Sequence, residues 1–228
     1  MGNRKKLEFN IVPKCAPEEK LLGMISGTGF SGVELYTDNS YLADFRNTAR
    51  MCAKYDFRYA VHAPADNTPL RNIIGFIKEL KPEVLVLHNI YWDDEWEVFY
   101  RESEKLHTKI CVENVSSVLE PVRFMRRFGF RRCLDLEHLQ MEATGVFREV
   151  FVDVIKQASH IHMTGYVFGT DMWHTPVHYS KAHAKYLLGL IKQAGYSGLV
   201  VSEASVKYQT QDEFKKLKEF SEEVINKL

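Results

Sequence analysis

The amino-acid sequence predicts a single (β/α)8 barrel, an α/β fold with one domain over residues 1–228. The chain has the usual length of one such barrel. Eight short apolar segments alternate with longer amphipathic ones, which indicates parallel strands joined by helical crossovers. An open doubly wound sheet is disfavoured, because no G-x-G-x-x-G turn follows the first apolar segment. No linker or low-complexity segment divides the chain.

The predicted strands are short segments rich in Val, Ile, Leu or aromatic residues. They cover Leu7–Pro13, Gly32–Thr37, Arg58–Ala65, Val84–Asn89, Lys109–Val115, Arg132–Leu139, His160–Tyr166 and Gly198–Ser205. The predicted helices include Tyr41–Tyr55, Pro69–Leu80, Val146–Gln157, Lys181–Ala194 and Gln211–Leu228. Within the fourth of these, apolar residues recur at the spacing of one helix face.

The charge balance restricts the class of partner. Lys and Arg together number 30, as do Asp and Glu, so the formal net charge is zero. This argues mildly against nucleic acid, whose binding depends on clustered basic charge, and favours a small-molecule substrate. No apolar run approaches the roughly 20 residues of a membrane span. Four cysteines without a CxxC pair, and no signal peptide, predict a cytoplasmic protein, and a homo-oligomer is compatible with this composition.

Ionisable residues follow the apolar part of six consecutive predicted strands, the third to the eighth. These residues are His62, His88, Glu113, Asp135, His162 and Glu203. Because the C-terminal ends of barrel strands surround one pocket, we expect these side chains to converge. Strand alternation puts a small or branched residue one layer below, such as Cys111 below Glu113 or Val201 below Glu203.

Each of these residues alone has a simpler interpretation. His88 is compatible with a hydrogen-bonded loop residue, and Glu113 or Asp135 with a helix cap. Their repetition favours a metal site, since buried charges are costly unless they are paired or metal-bound. Asp135 and His138 are three residues apart, so they meet only if the chain leaves the strand just after Asp135. Glu137, His107, His183 and His160 are assigned no role, with His160 expected a layer below the pocket.

This strand-end pattern resembles the xylose-isomerase-like TIM-barrel superfamily, which includes sugar isomerases and epimerases and the endonuclease IV repair enzymes. The resemblance extends from Gly32-Val33-Glu34-Leu35 to the strand that precedes Glu203. In the epimerase branch, strands five to eight hold one divalent ion through a Glu, an Asp, a His and a Glu. The ligand set that this implies is Glu113, Asp135, His162 and Glu203. The family's Asp-x-x-His pair matches Asp135 and His138, which implies that His138 contacts substrate or a second metal.

The endonuclease IV branch adds metal ligands from further strands. His62 and His88 match its ligands on the third and fourth strands, and His174 matches the histidine that precedes an x-Pro step. Asp171 is one residue out of register with the aspartate of that branch, so a third metal is not established by the match.

The resemblance supports a first hypothesis, a metal-dependent isomerase or epimerase of a small polyhydroxylated carbonyl compound. The ion would bind the carbonyl and neighbouring hydroxyl oxygens and stabilise an enediolate. Glu113 and Glu203 would move the proton beside the carbonyl, and His138 would orient a hydroxyl. An oxygen-rich ligand set with one imidazole suits Mn²⁺ or Mg²⁺.

Two alternatives stay open. One is an endonuclease IV-like phosphodiesterase with several Zn²⁺ ions, to which His62, His88, His138 and His174 would contribute. The other is a non-catalytic member that binds a metal or a sugar. Tyr36, Trp92 and Trp173, predicted near the pocket rim, would stack on a sugar or on an extruded nucleotide, or would simply pack against the protein.

Overall fold

The strands form a closed barrel. The computed structural model describes residues 9–66, 68–144 and 151–227. Within these residues, eight parallel strands pair in chain order and β8 pairs with β1, which confirms the predicted fold class. The strands are β1 Asn10–Cys15, β2 Gly32–Tyr36, β3 Arg58–His62, β4 Val84–Leu87, β5 Lys109–Glu113, β6 Arg131–Asp135, β7 Ala158–Met163 and β8 Leu199–Ser202.

Helices surround the barrel. They are α1 Glu19–Gly27, α2 Asn39–Ala43, α3 Phe45–Cys52, α4 Leu70–Leu80, α5 Asp93–Ser103, α6 Val122–Phe128, α7 Leu136–Glu142, α8 Phe151–Ile155, α9 Lys181–Gln193 and α10 Gln211–Lys227. Short 3-10 turns at Val177–Ser180 and Val206–Tyr208 follow β7 and β8. None of the helices in the described part of the chain has the length and apolar character needed to cross a membrane.

Several predicted boundaries are wrong, mainly at the C-terminal ends of strands. The sixth strand ends at Asp135 rather than Leu139, because the Asp135 side chain caps a helix that starts at Leu136. The predicted helix Tyr41–Tyr55 is divided at Asp44, whose carboxylate accepts from the Asn47 amide and starts α3. Residues 7, 8, 146–150 and 228, which belong to three predicted elements, lie outside the described residues.

The barrel interior contains an apolar layer below the C-terminal ends of the strands. Its members are small or branched buried residues. They are Val12, Ala60, Val84, Val86, Cys111, Cys133, Leu199 and Val201. The larger hydrophobic core lies outside this layer, between strands and helices, where Trp96 packs against Phe124 with ring centroids 4.3 Å apart. On these strands, the inward-facing residues nearer the C-terminal ends lie directly above this apolar layer.

Candidate metal centre

A cavity of about 430 Å³ opens at the C-terminal end of the barrel. Its lining combines ionisable groups from the strand ends with residues of the loops that follow. The lining residues are Lys14, Tyr36, His62, Ala65, His88, Glu113, Val115, His138, His174, Glu203, Ala204, Ser205, Val206 and Gln209. This is the end at which catalytic groups collect in barrels of this architecture.

Four of the predicted residues converge beside this cavity. Glu113, Asp135, His162 and Glu203 each offer one ligand atom, and these atoms all lie within 4.8 Å of one another. Glu113 and Asp135 are the last residues of β5 and β6, His162 lies directly beside Asp135 on β7, and Glu203 follows β8. Four adjacent strands therefore deliver three carboxylates and one imidazole to a single point.

Unpaired polar atoms in this group fit a bound cation. His162 Nδ1 lies 2.7 Å from Glu203 Oε2, yet neither atom forms a hydrogen bond within the described part of the chain. Asp135 Oδ2 is also buried without a hydrogen-bond partner among those residues. Buried polar atoms left unpaired are costly, and a shared cation satisfies several of them at once. The donor set therefore fits a divalent metal.

The electrostatics of the group show an excess of negative charge. Burial, opposed by His138 and reinforced by the nearby carboxylates of Glu113 and Glu203, raises the pKa of Asp135 to about 7. Burial disfavours the charged form of His162, but the surrounding anions outweigh this and raise its pKa well above the usual value. Both directions mean that the group gains from added positive charge, whether from protons or from a metal ion.

The Asp135–His138 pair is close because the chain leaves the strand after Asp135. Asp135 Oδ1 accepts from the His138 backbone amide at 2.7 Å, as the N-cap of α7. His138 Nδ1 lies 2.9 Å from the Asn114 carbonyl oxygen, 3.6 Å from Asp135 Oδ1 and 3.7 Å from Glu113 Oε1. Asp135 therefore caps the helix through one oxygen and leaves the other for the cluster.

His62 and His88 also reach the cluster. Their Nε2 atoms lie 3.1 Å and 3.3 Å from the same oxygen, Glu113 Oε2. A second convergent group, which consists of His62, Glu113 and His162, has its ligand atoms within 4.8 Å of one another. The residues predicted from the third and fourth strands therefore share Glu113 with the first group.

His174 lies apart from both groups. Its backbone amide donates to Glu137 Oε2 at 3.1 Å, and its side chain is 48% exposed at the cavity mouth. It belongs to no convergent metal-ligating group of the described residues, and Asp171 is exposed in the same loop. The loop closes on itself, since the Gly165 amide donates to the Thr175 carbonyl oxygen at 2.8 Å.

The three predicted aromatic contacts occupy different positions. Tyr36 lines the main cavity. Trp92 is 78% exposed and lines a neighbouring cavity of about 310 Å³, which shares Ala65 with the main one. Trp173 stacks on Tyr166 within the β7–α9 loop, with ring centroids 4.3 Å apart. Of these three aromatic residues, Tyr36 is thus the one that lines the main cavity.

Two further residues of the site, Lys14 and Glu34, were given no role by the sequence analysis. Lys14 Nζ lies 2.5 Å from Glu203 Oε1 and 3.2 Å from Glu34 Oε1. Burial disfavours the charged form of Lys14, but Glu203 and Glu34 outweigh it and raise its pKa. A signal existed, because a lysine within the segment Asn10–Cys15 interrupts an otherwise apolar strand. The predicted strand ended at Pro13, which removed Lys14 from the barrel.

Comparisons with known proteins support the fold. No protein-family model matches the chain, and no curated protein sequence is significantly similar to it. D-allulose 3-epimerase from Methylomonas sp. has a TM-score of 0.57 at 15% identity, over 98% of this chain and 100% of the epimerase chain. Phosphoribosylanthranilate isomerase from Thermotoga maritima has a TM-score of 0.56 at 10% identity, over 93% and 98% of the two chains. At these identities the similarity establishes the fold alone.

Proposed function

We propose that this protein is a divalent-metal-dependent isomerase or epimerase of a small sugar or a related polyhydroxylated carbonyl compound. The observation that carries the proposal is the convergence of Glu113, Asp135, His162 and Glu203 within 4.8 Å beside the main cavity. Structural similarity to a D-allulose 3-epimerase over nearly the whole chain agrees with this class of reaction.

The chemistry of the donor set favours a hard cation. Three carboxylates and one imidazole are ligands that suit Mn²⁺ or Mg²⁺. A structural Zn²⁺ site would instead use thiolates and several histidines. When bound, such an ion supplies positive charge that stabilises the oxyanion of an enediolate. His162, Asp135 and the two glutamates hold the ion in this proposal.

Glu113 and Glu203 are the candidate groups for proton transfer at the carbon beside the carbonyl. Burial opposes ionisation of Glu203, but Lys14, 2.5 Å from Glu203 Oε1, outweighs it, lowers the pKa of Glu203 and holds it as a carboxylate. Burial also opposes ionisation of Glu113, but His162 and, to a smaller extent, His62 outweigh it and lower the pKa of Glu113. His138, at the cavity wall, is the candidate for orienting a substrate hydroxyl.

Elemental analysis combined with a substrate panel tests this proposal. The purified chain, dialysed against Mn²⁺, is expected to retain one ion per chain. It is also expected to interconvert at least one aldose–ketose or epimer pair, and exchange of the substrate proton with deuterated water is the measure of this reaction. Retention of an ion without exchange on any free sugar or sugar phosphate would favour a non-catalytic binding protein. Absence of a bound divalent ion would remove the proposal.

One observation favours a second function, an endonuclease IV-like phosphodiesterase. His62, Glu113 and His162 form their own convergent group, with His88 on the same glutamate oxygen. Two or more Zn²⁺ ions per chain, together with cleavage of an oligonucleotide that contains an abasic site, would establish this alternative in place of the first. Metal stoichiometry, the sugar panel and the oligonucleotide assay together therefore separate the two functions.

A further inference from the structure

Glu34 lies in the middle of the charged cluster. It belongs to β2, whereas the four candidate ligands come from β5, β6, β7 and the end of β8. Its side chain is fully buried. Glu34 Oε2 accepts hydrogen bonds from His160 Nε2 at 2.7 Å and from His162 Nε2 at 3.0 Å. Glu34 Oε1 lies 3.2 Å from Lys14 Nζ. The Glu34 carboxylate thus contacts side chains of two other strands, β1 and β7.

These contacts determine which nitrogen of His162 is available. A carboxylate only accepts hydrogen bonds, so both imidazoles present Nε2–H to Glu34. The other nitrogen of His162, Nδ1, lies 2.7 Å from Glu203 Oε2 and 3.4 Å from Glu113 Oε2. The ring is therefore oriented with its donor towards Glu34 and its remaining nitrogen towards the ligand carboxylates.

Glu34 also acts on a second candidate ligand through Lys14. The side chain of Lys14 is 6% exposed, and its ammonium group joins Glu34 Oε1 to Glu203 Oε1. This leaves Glu203 Oε2 on the side of His162 Nδ1. A single buried carboxylate, with its lysine, thereby sets the orientation of two of the four groups that converge.

We propose that Glu34 is a positioning residue of the metal centre, which fixes Nδ1 as the ligand atom of His162 and, through Lys14, fixes Oε2 as the ligand atom of Glu203. The inference rests on the proposed function for the presence of the metal. Carboxylates that accept from a metal-bound imidazole orient the ring and increase its basicity, and their loss typically weakens metal binding by about 10–100-fold.

A purely structural role for Glu34 is the competing explanation, and the chain contains a matched pair for comparison. Glu213 Oε2 lies 3.0 Å from His178 Nε2, the same type of contact, and neither residue belongs to a convergent metal-ligating group of the described residues. Glu34→Gln and Glu213→Gln therefore remove the same charge from the same kind of pair, once inside the cluster and once outside it.

The experiment measures Mn²⁺ binding to the full chain by calorimetric titration, with Mn²⁺ as the only added ligand. Glu34→Gln is expected to bind Mn²⁺ about 10–100-fold more weakly than the unmodified chain, and Glu213→Gln to bind as the unmodified chain does. Equal affinity of Glu34→Gln and the unmodified chain, with the circular dichroism spectrum retained, would overturn the inference. An equal loss in both variants would overturn it as well.

A second measurement avoids substitutions at Glu34, in case that variant fails to fold. In the unmodified chain labelled with ¹⁵N-histidine and loaded with Zn²⁺, His162 is expected to keep its proton on Nε2 and to show the ligand shift on Nδ1. A ligand shift on Nε2 would overturn the inference while leaving the metal site intact. Failure of the unmodified chain to bind either ion would instead overturn the proposed function.

Discussion

Two layers of the barrel interior, formed by residues two positions apart on the same strands, have opposite chemistry. The lower layer is apolar and the upper layer is ionisable. The pairs are Val12 and Lys14, Ala60 and His62, Cys111 and Glu113, Cys133 and Asp135, and Val201 and Glu203. Burying apolar groups stabilises the fold, whereas burying charges costs free energy that only good pairing offsets. The difference indicates that the lower layer stabilises the barrel, and it agrees with the binding role proposed for the upper layer.

Strand β7 departs from this rule and shows how a polar group is accommodated below the site. His160 pairs in register with Cys133 in the lower layer, yet it is an imidazole with no exposed surface. Its Nε2 donates to Glu34 Oε2, which belongs to the upper layer, whereas its Nδ1 has no hydrogen-bond partner within the described residues. Glu34 therefore links the two layers.

The largest effect that would separate the layers is expected from Glu203→Gln. Loss of a proton-transfer carboxylate should lower kcat by about 10²–10⁴-fold. The side chain keeps its shape and its oxygen, so the circular dichroism spectrum should not change. The measurement is turnover of the sugar that the substrate panel identifies. Near-normal kcat would remove Glu203 from the proton-transfer role.

The opposite behaviour is expected in the lower layer from Leu199→Ala. Leu199 is 3% exposed, and its truncation leaves a cavity in the barrel interior. The free energy of unfolding should fall by about 2–5 kcal/mol, measured by urea denaturation. Mn²⁺ affinity of the folded fraction should stay as it is. A loss of affinity as large as the loss caused by Glu34→Gln would show that the layers are not separable.

Asp135→Asn separates the two roles of one upper-layer residue. Asn caps helices about as well as Asp, so α7 and the stability of the fold should be retained. The neutral amide is a weaker ligand than a carboxylate, so Mn²⁺ affinity should fall by at least about tenfold. Calorimetric titration and thermal unfolding measure the two effects. Lost stability with unchanged affinity would leave Asp135 as a cap alone.

The smallest effect is expected outside both layers, at Trp92. Its side chain is 78% exposed and lines the neighbouring cavity rather than the main one. Trp92→Ala should change the free energy of unfolding by less than about 0.5 kcal/mol. KM for a monosaccharide should not change. A raised KM would instead restore the stacking role that the sequence suggested and extend the binding site into that cavity.

The sequence predicted the barrel and the position of its ionisable residues for the same physical reason. Strand periodicity of two puts alternate residues inside, and a charge after an apolar run is visible in the sequence, as at Glu113 or Asp135. Lys14 and Glu34 were not given roles. The charge of Lys14 is compatible with the end of a strand, and a single charged residue within a strand, such as Glu34, is compatible with a solvent-facing position. Their partners, Glu203 and His162, are far away in sequence, so the pairing appears only when the barrel closes.

The prediction also failed where backbone geometry decides. The predicted strand continued through Leu136–Leu139, but the cap formed by Asp135 starts a helix there. The competition between a strand and a capped helix depends on one side-chain hydrogen bond, which apolar periodicity does not encode. The same cap is what brings His138 back towards the strand end.

The closed loop after β7 has a consequence for how this protein can change. Gly165 and Thr175 join its two ends by a hydrogen bond, and Tyr166 stacks on Trp173 inside it. A side chain at Gly165 would collide with the Pro176 carbonyl oxygen, 2.5 Å from the added Cβ, so the junction itself tolerates little variation. Residues within the loop also contact the rest of the barrel, since the His174 amide donates to Glu137 Oε2 and the His174 carbonyl oxygen accepts from the Ser205 amide. Variation in sequence is therefore expected between the junctions rather than at Gly165, and at His174 it would change the lining of the main cavity while the strand ends stay as they are.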